Sequence, residues 1–273
     1  MRASRTARLA RTAAATVIAL VMLAPLYWMV VVAFSSRREL LGGDLRVWPR
    51  ELTTENFDRV LSAFPVVTWF GNSLAIALVA SLITVVVSLL GGYAFAHLRF
   101  RGSTFVFILS LATLMIPVQV IMVPLFKIVT SLGIYGSYWA VILPTAASAF
   151  GVFLARQFIL AIPRELIEAA QIDGAGHLRT FLQVVLPLCR PLVAVLFFMS
   201  LLQTWNDFAW PLIALKDNAL FTLPIGLLYL QGQFGSDYGG TMAFALISVT
   251  PMVVLFLVFQ RYFVQGLSRS GMR

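Results

Sequence analysis

The sequence predicts an all-α integral membrane protein with six membrane-spanning helices. Of its 273 residues, 60% are hydrophobic and only 11% are charged, which is too apolar and too sparsely charged for a soluble domain. A helix needs roughly 20 apolar residues to cross a bilayer. Six apolar runs approach or exceed this length, at residues 13–34, 70–95, 104–126, 138–154, 192–215 and 242–259.

The order of these runs predicts one domain with short flanking segments. We expect a basic N-terminal segment 1–12, a peripheral first span 13–34, an extracytoplasmic loop 35–69, a core 70–263 that carries spans two to six, and a tail 264–273. Four arginines precede the first run, as in a signal peptide. That run is longer than a typical signal-peptide core and no small-residue cleavage site closes it, so we expect an uncleaved span.

The formal charge of +9 follows from orientation in the membrane. The chain has no basic cluster with interleaved aromatic residues away from the membrane flanks, so nucleic acid is excluded as a partner. Alternate loops carry unequal charge: thirteen arginines and three acids lie on one side, against seven bases and eight acids on the other. Because basic loops stay in the cytoplasm, we expect both termini and the loop 163–187 to be cytoplasmic.

The loop 163–187 resembles a soluble helix-turn-helix although it lies between two spans. Glu165 and Glu168 follow Pro163 near the positive end of a predicted helix dipole. Helical spacing places small and mostly apolar residues on one face, namely Leu166, Ala169, Ala170 and Asp173. Gly174 suits the left-handed conformation that ends a helix, and Ala175 and Gly176 keep the turn free of bulk. An amphipathic loop resting on membrane lipid and a loop held by a partner protein both fit this pattern.

The same loop carries the signature of importer-type ABC permeases. That signature is Glu-Ala-Ala, three residues, Gly, nine residues, then an aliphatic residue, any residue and Leu-Pro, filled here by Glu168, Ala169, Ala170, Gly174, Val184, Leu186 and Pro187. The chain also resembles the carbohydrate branch of the family, similar to maltose-type permeases, through residues 205–208, 231–235 and 260–267. The resemblance implies the type I ABC importer permease fold, with a cytoplasmic coupling helix between helices 4 and 5.

The resemblance also implies partners. Two cytoplasmic ATPase subunits are expected, one of which would grip the coupling loop of this chain at Glu165, Glu168, Ala169, Ala170, Asp173, Gly174 and Ala175. A second permease of similar fold would complete the pore, and an extracytoplasmic solute-binding protein would deliver a sugar. The candidate contacts for that binding protein form a predicted loop of Gln231, Gly232, Gln233, Phe234 and Gly235.

The sequence carries no catalytic, nucleotide-binding or metal-binding pattern. A P-loop requires Gly-Lys-Ser/Thr, and neither Lys127 nor Lys216 stands in that context. Neither His97 nor His177 lies near a nucleophile with a supporting acid, and the lone Cys189 excludes an intramolecular disulfide and a multi-cysteine metal site. We therefore expect no enzyme activity and no cofactor in this chain, with ATP and Mg²⁺ held by the partner ATPase.

Candidate residues for the solute pathway lie in span five. Asp207 is the one ionisable residue expected inside the membrane, where an acid is costly unless it faces protein or water. Trp205 and Asn206 precede it, and Gln119 in span three is a further polar candidate. An aromatic ring with amide and carboxylate acceptors suits a sugar. A structural role, in which Asp207 bonds backbone or a partner helix, is the alternative.

The sequence as a whole predicts a sugar-importer permease subunit that forms half of a pore in a bacterial or archaeal inner membrane. A polyol or a glycerophosphate-type solute is one alternative. A phosphate group favours a basic pathway, and no arginine lies within the predicted spans, so the glycerophosphate is disfavoured. An ion-coupled secondary transporter is the other. Such transporters usually have internal repeats and a coupling site at mid-membrane depth, and neither is evident here.

Overall fold

The structure, a computed structural model, describes residues 5–42, 47–98, 100–234 and 237–270. These residues form helices and turns and contain no strand. In chain order the helices are α1 (Arg5–Ala33), α2 (Arg37–Leu41), α3 (Glu55–Ala63), α4 (Val66–His97), α5 (Ser103–Ala112), α6 (Val118–Ser131), α7 (Tyr138–Ala146), α8 (Ala149–Leu160), α9 (Arg164–Ile172), α10 (His177–Thr180), α11 (Leu186–Leu188), α12 (Arg190–Asn206), α13 (Ala209–Ala214), α14 (Leu223–Phe234) and α15 (Tyr238–Ser270). A π-helical turn, Phe181–Val185, joins α10 to α11. The predicted all-α class is confirmed.

The described helices provide four candidate membrane spans, or six if each of two bent helix pairs is counted as one span. Four are long and apolar enough to cross a bilayer, and they cover Leu9–Ala33, Val66–His97, Tyr138–Leu160 and Tyr238–Gln260, the third with a short break between α7 and α8. The two bent pairs are Ser103–Met115 with Val118–Ser131 and His177–Leu188 with Arg190–Asn206, and most of His177–Leu188 belongs to the predicted cytoplasmic loop 163–187. Counting each bent pair as one span gives the predicted number.

Span three differs from the predicted continuous run 104–126. Its two halves meet at an angle of 110°, and Ile116 at the corner has an extended backbone, with φ −89° and ψ 120°. Pro117 explains the corner, because proline lacks an N–H for the helix ladder and pushes the residue before it out of the helical region.

Span four continues beyond the predicted end at residue 154. The helix α8 runs to Leu160, so the span that begins at Tyr138 contains Arg156. The expectation that no arginine lies within a span was therefore wrong. Arg156 is accommodated because the guanidinium has protein partners, which are described below.

Span five also breaks where a continuous helix 192–215 was predicted. The helix α12 ends at Asn206 and the short helix α13 begins at Ala209. Pro211 lies four residues beyond Asp207 and has no N–H to donate to the Asp207 carbonyl, so the helical ladder cannot continue through this point. At the other end of α12, a bend of 79° at Cys189 precedes Pro191, which interrupts the ladder for the same reason.

The chain packs as two compact units. One consists of the described residues of Met1–Val67 and Gly226–Pro251, and the other of those of Thr68–Ile225 and Met252–Arg273. The second unit contains a hydrophobic core at the end of α4 that leads toward α9, formed by Val85, Leu89, Tyr93, Ala155, Ile159, Ile162, Ile167, Phe181, Val185, Cys189, Leu192 and Leu196. This core positions the loop that the sequence singled out.

Candidate functional site

The loop between α8 and α12 begins with the nine-residue helix α9. Glu165 lies in its first turn, as predicted, and Pro163 stands just before it. The helix ends as the glycine pattern predicted: Gly174 has φ +82°, the Ala175 N–H donates to the Ala170 carbonyl at 2.9 Å, and the Gly174 N–H donates to Gln171 at 3.0 Å. These two bonds form a Schellman motif, so the turn after α9 has a defined geometry.

One side chain attaches α9 to the rest of its unit. Ile167 is only 4% exposed and belongs to the core that contains Tyr93, Ile159 and Phe181, and it is the only buried residue of α9. The sequence analysis missed Ile167, because a single buried residue in a nine-residue helix leaves no periodic apolar pattern.

Neither the predicted small face of α9 nor its two glutamates are buried within their own unit. Glu165, Glu168, Ala169 and Asp173 are exposed, and Ala170 and Ala175 are partly exposed. Leu166 is 46% exposed and Ile172 is 86% exposed. A Cβ built on Gly174 or Gly176 would meet no atom within 4 Å, so the turn leaves space beside the chain. The arrangement leaves most of α9 and its turn exposed.

A shallow groove follows the turn. It is lined by Gly176, His177, Leu178, Arg179, Leu182 and Gln183. Leu178 and Leu182 are 66% and 50% exposed, and the Arg179 Nε donates to the Gln183 side-chain oxygen at 3.0 Å. We call α9, its turn and this groove the coupling surface. The surface combines exposed apolar side chains with both signs of charge.

The three pathway candidates of span five lie together at the break after α12. Trp205 is 2% exposed, and its ring meets the edge of Phe70 at a centroid distance of 5.7 Å. Asn206 is exposed, and its Nδ2 donates to the Leu202 carbonyl at 2.8 Å. Asp207 is half-buried and accepts a bond from the Trp210 N–H at 3.4 Å. Asn206 is thus exposed and Asp207 half-buried, whereas the Trp205 ring is buried and packs on Phe70.

Gln119 is exposed in the first turn of α6. The helix α6 packs against α13 in a core that includes Val129 and Trp210. That packing involves Val129, ten residues after Gln119, and a role of Gln119 and Asp207 in a pathway stays a prediction.

The segment predicted as a loop at 231–235 is helical through Phe234, since α14 extends from Leu223 to Phe234. Its buried residues include Leu223 and Leu230, which are about two helical turns apart. The glycines predict a loop, but this apolar spacing favours a helix. Gln231 and Gly232 are exposed at the helix end. The side chains of Gln233 and Phe234 and the whole of Gly235 lie outside the described part of the chain.

A cluster in the other unit ties α3 to the start of α15. The Arg59 guanidinium pairs with Asp237 at 2.5 Å, and Asp237 also accepts the Gly240 N–H at 3.0 Å. Asn56 donates to the carbonyls of Ala33 and Ser35. Burial alone raises the pKa of Asp237, but the Gly240 N–H and the hydrogen bond and charge of Arg59 outweigh burial and hold that pKa below its usual value. The cluster joins residues that are 178 positions apart, so no local sequence signal predicts it.

Comparison with known proteins relates the chain to transport systems. The family described as "Binding-protein-dependent transport system inner membrane component" matches residues 88–269. The arabinooligosaccharides transport system permease protein AraQ of Halalkalibacterium halodurans is 38% identical over 259 residues, covering 94% of this chain and 93% of AraQ. The sn-glycerol-3-phosphate transport system permease protein UgpE of Escherichia coli is 33% identical and covers 92% of both chains.

The fold also matches a solved structure. A chain of a bacterial ABC transporter involved in the import of the acidic polysaccharide alginate superposes with a TM-score of 0.85 at 21% identity, covering 96% of this chain and 99% of the other.

Proposed function

This chain belongs to the family of inner-membrane components of binding-protein-dependent transport systems, and on that premise we propose that it is a permease subunit of an ATP-driven importer for sugars. It forms half of the translocation pore, and a second permease of similar fold forms the other half. The similarity to a permease named for arabinooligosaccharide transport, over almost the full length of both chains, supports a sugar as the solute.

One observation carries the mechanism. The helix α9 has a single buried side chain, presents its other residues outward and ends in an open turn at Gly174. A helix held at one point and exposed elsewhere is suited to a partner that moves it. We assign this partner as a cytoplasmic ATPase, which grips the coupling surface and holds ATP and Mg²⁺.

The chemistry of the coupling surface fits such docking. Leu166 and Ile172 supply exposed apolar contact area, and Ala169 leaves room for a partner side chain. Glu168 is exposed on the side of the membrane that carries most of the arginines, so it is suited to a basic residue of the ATPase. Two ATPase copies serve the two permeases, one on each coupling surface.

The transport cycle is alternating access. Closure of the two ATPases upon ATP binding draws the paired coupling helices together, and the region around Asp207 opens to the outside, where a solute-binding protein delivers the sugar. The charge asymmetry of the loops supports an orientation with both termini in the cytoplasm of a bacterial or archaeal cell. Asn206 and Asp207 offer hydrogen-bond partners to solute hydroxyls at the break after α12.

A second candidate solute is a glycerophosphate, because the chain is 33% identical to a permease named for sn-glycerol-3-phosphate transport. The two candidates differ in charge. A phosphate ligand favours cationic groups along the pathway, whereas the candidates at the end of α12 are an amide and a carboxylate. The chemistry of that region therefore favours the sugar.

Uptake by the reconstituted complex tests the proposal. Proteoliposomes that contain both permeases and the ATPases receive the binding protein with radiolabelled arabino-oligosaccharide or sn-glycerol-3-phosphate, with ATP inside and with ionophores that remove ion gradients. We expect oligosaccharide uptake that requires ATP and is insensitive to ionophores. Uptake that persists without ATP and stops with ionophores contradicts the ATP-driven mechanism, and exclusive glycerol-3-phosphate uptake contradicts the sugar assignment.

A further inference from the structure

Arg156 lies in the last part of span four, eight residues before the first residue of α9. Its Nε donates to the Phe95 carbonyl at 3.2 Å, and its guanidinium carbon lies 4.5 Å from the centre of the Phe107 ring. The charge is thus placed between the end of α4 and the middle of α5. A charged side chain inside a membrane span carries a free-energy cost. The contacts of Arg156 with Phe95 and Phe107 offset that cost and indicate a structural role for the guanidinium.

The Phe95 carbonyl lies in the last turn of α4, where helices leave carbonyls unpaired and where the helix dipole favours a cation. The Phe95 ring also meets the Phe107 ring at a centroid distance of 5.3 Å. Arg156 therefore caps α4 while it rests on an aromatic ring of α5, and this single guanidinium joins spans two, three and four.

The backbones of α4 and α8 approach closely beside Arg156. A Cβ built on Gly92 would lie 2.5 Å from the Ala155 Cβ and 2.8 Å from the Arg156 nitrogen. One turn away, a Cβ on Gly151 would overlap the Ser88 hydroxyl oxygen. Two helices this close cannot slide along each other without a steric clash. A glycine contact supplies no bond that resists their separation, whereas the Arg156 bond to Phe95 does.

The same region receives the coupling helix. Ile167 of α9 lies in one core with Tyr93 of α4 and Ile159 of α8, and only Ala161, Ile162 and Pro163 separate α8 from α9. A displacement of α9 therefore reaches α8 through the chain and reaches α4 through packing. The helices α4 and α8 follow a displacement of α9 by the same amount only if they stay fixed to each other.

We propose that Arg156 is a positioning residue that clamps the end of span four to the end of span two, so that both spans follow the coupling helix as one body. This inference rests on the proposed function, since it takes α9 as the element that the ATPase moves. Arg156 acts through α4 and α8 and does not itself contact the solute.

The test measures the distance between spans two and four in the assembled complex. Spin labels are attached at Leu90→Cys on α4 and Leu160→Cys on α8, which are 45% and 41% exposed, in a Cys189→Ser background with Cys-free partner subunits. The distance is compared between the nucleotide-free complex and the complex trapped with ATP and orthovanadate. No solute is needed for this comparison.

We expect the unsubstituted Arg156 complex to keep the same label distance in both states. Arg156→Met should shift or broaden the distance by about 1–2 Å between states, the scale of helix shifts at subunit interfaces in allosteric transitions. Arg156→Lys retains the positive charge and a hydrogen-bond donor, so its change in label distance should lie between those of the parent and Arg156→Met. If the Met variant does not assemble, Arg156→Lys is used in its place. Arg101→Met, the same change at an exposed position, is the control and should behave like the parent.

Two outcomes overturn the clamp: a nucleotide-dependent distance change in the parent complex, or an unchanged distance in both Arg156 variants. Failure of the proposed function is recognised separately with a label at Ile172→Cys on α9, which is 86% exposed. If adding the ATPase leaves the mobility of that label unchanged, the ATPase does not dock on α9, and docking is then refuted whatever the distance between the spans.

Discussion

Substitution of Gly174 separates the conformational role of this glycine from its contact with a partner. Gly174 and Gly102 both have φ +82°, and a Cβ built on either would meet no atom within 4 Å. The left-handed conformation costs a non-glycine residue about 1–2 kcal/mol. Within this chain alone, Gly174→Ala and Gly102→Ala should therefore destabilise the local turn by similar amounts, roughly 5- to 30-fold in its local equilibrium, since about 1.4 kcal/mol is tenfold.

The two positions should diverge when the partner is present. A longer side chain at Gly174 enters the space that the ATPase needs, whereas the same side chain at Gly102 enters a turn outside the coupling surface. We expect Gly174→Leu to weaken ATPase binding by about 5- to 160-fold beyond the effect of Gly174→Ala, because steric overpacking costs about 1–3 kcal/mol. The matched pair Gly102→Leu and Gly102→Ala should bind the ATPase equally well.

The assay is the affinity of the detergent-solubilised permease pair for the ATPase, with thermal unfolding as the check on folding. Equal losses of affinity for the Leu variants at the two glycines would refute the reasoning. So would full affinity of Gly174→Leu, because the partner would then not occupy the space beside the turn.

Three further predictions concern packing and charge. Gly92→Ala places a methyl group 2.5 Å from the Ala155 Cβ and should lower the stability measured by thermal unfolding by about 1–3 kcal/mol. The control Gly91→Ala should cost less, because its Cβ would meet only side-chain atoms at 3.2 Å or more. An equal loss of stability in the two variants contradicts the close contact. Ile167→Ala removes the one buried side chain of α9 and should destabilise the attachment of α9 by about 2–5 kcal/mol. Limited proteolysis should then cleave the loop 163–187 faster. An unchanged cleavage rate contradicts the role of Ile167 in attaching α9. Because the pKa of Asp237 is lowered by folding, its stabilising contribution is complete above the unfolded value of about 3.9 and is lost as pH falls through the lower folded value. Unfolding curves should show that acid loss in the parent and not in Asp237→Asn, and identical pH dependence contradicts the assignment.

Local signals predicted much of this fold because they act within one element. Apolar length predicted six spans, which correspond to four long helices and two bent helix pairs, and the glycine pattern after α9 predicted the turn at Gly174. The sequence alone does not show which proline breaks a span. Pro117 turns span three by 110°, while Pro25 and Pro251 lie inside continuous helices, so neighbouring packing decides the outcome.

The candidate site was predicted where it depends on a local motif and was missed where it depends on contacts that are distant in sequence. Glu168 and Gly174 follow from a spacing that one helix and its turn must satisfy. The contact of Arg156 with Phe95 spans 61 positions, and the buried position of Ile167 arises from packing against Tyr93. No periodic pattern around either residue reports these contacts.

The central claim is that this chain transmits force supplied by another polypeptide and has no energy source of its own. Uphill solute accumulation in proteoliposomes tests this claim most directly, with the chain alone in one preparation and the complete complex with ATP in the other. We predict accumulation only with the complete complex. Accumulation against a gradient by the isolated chain would contradict the account.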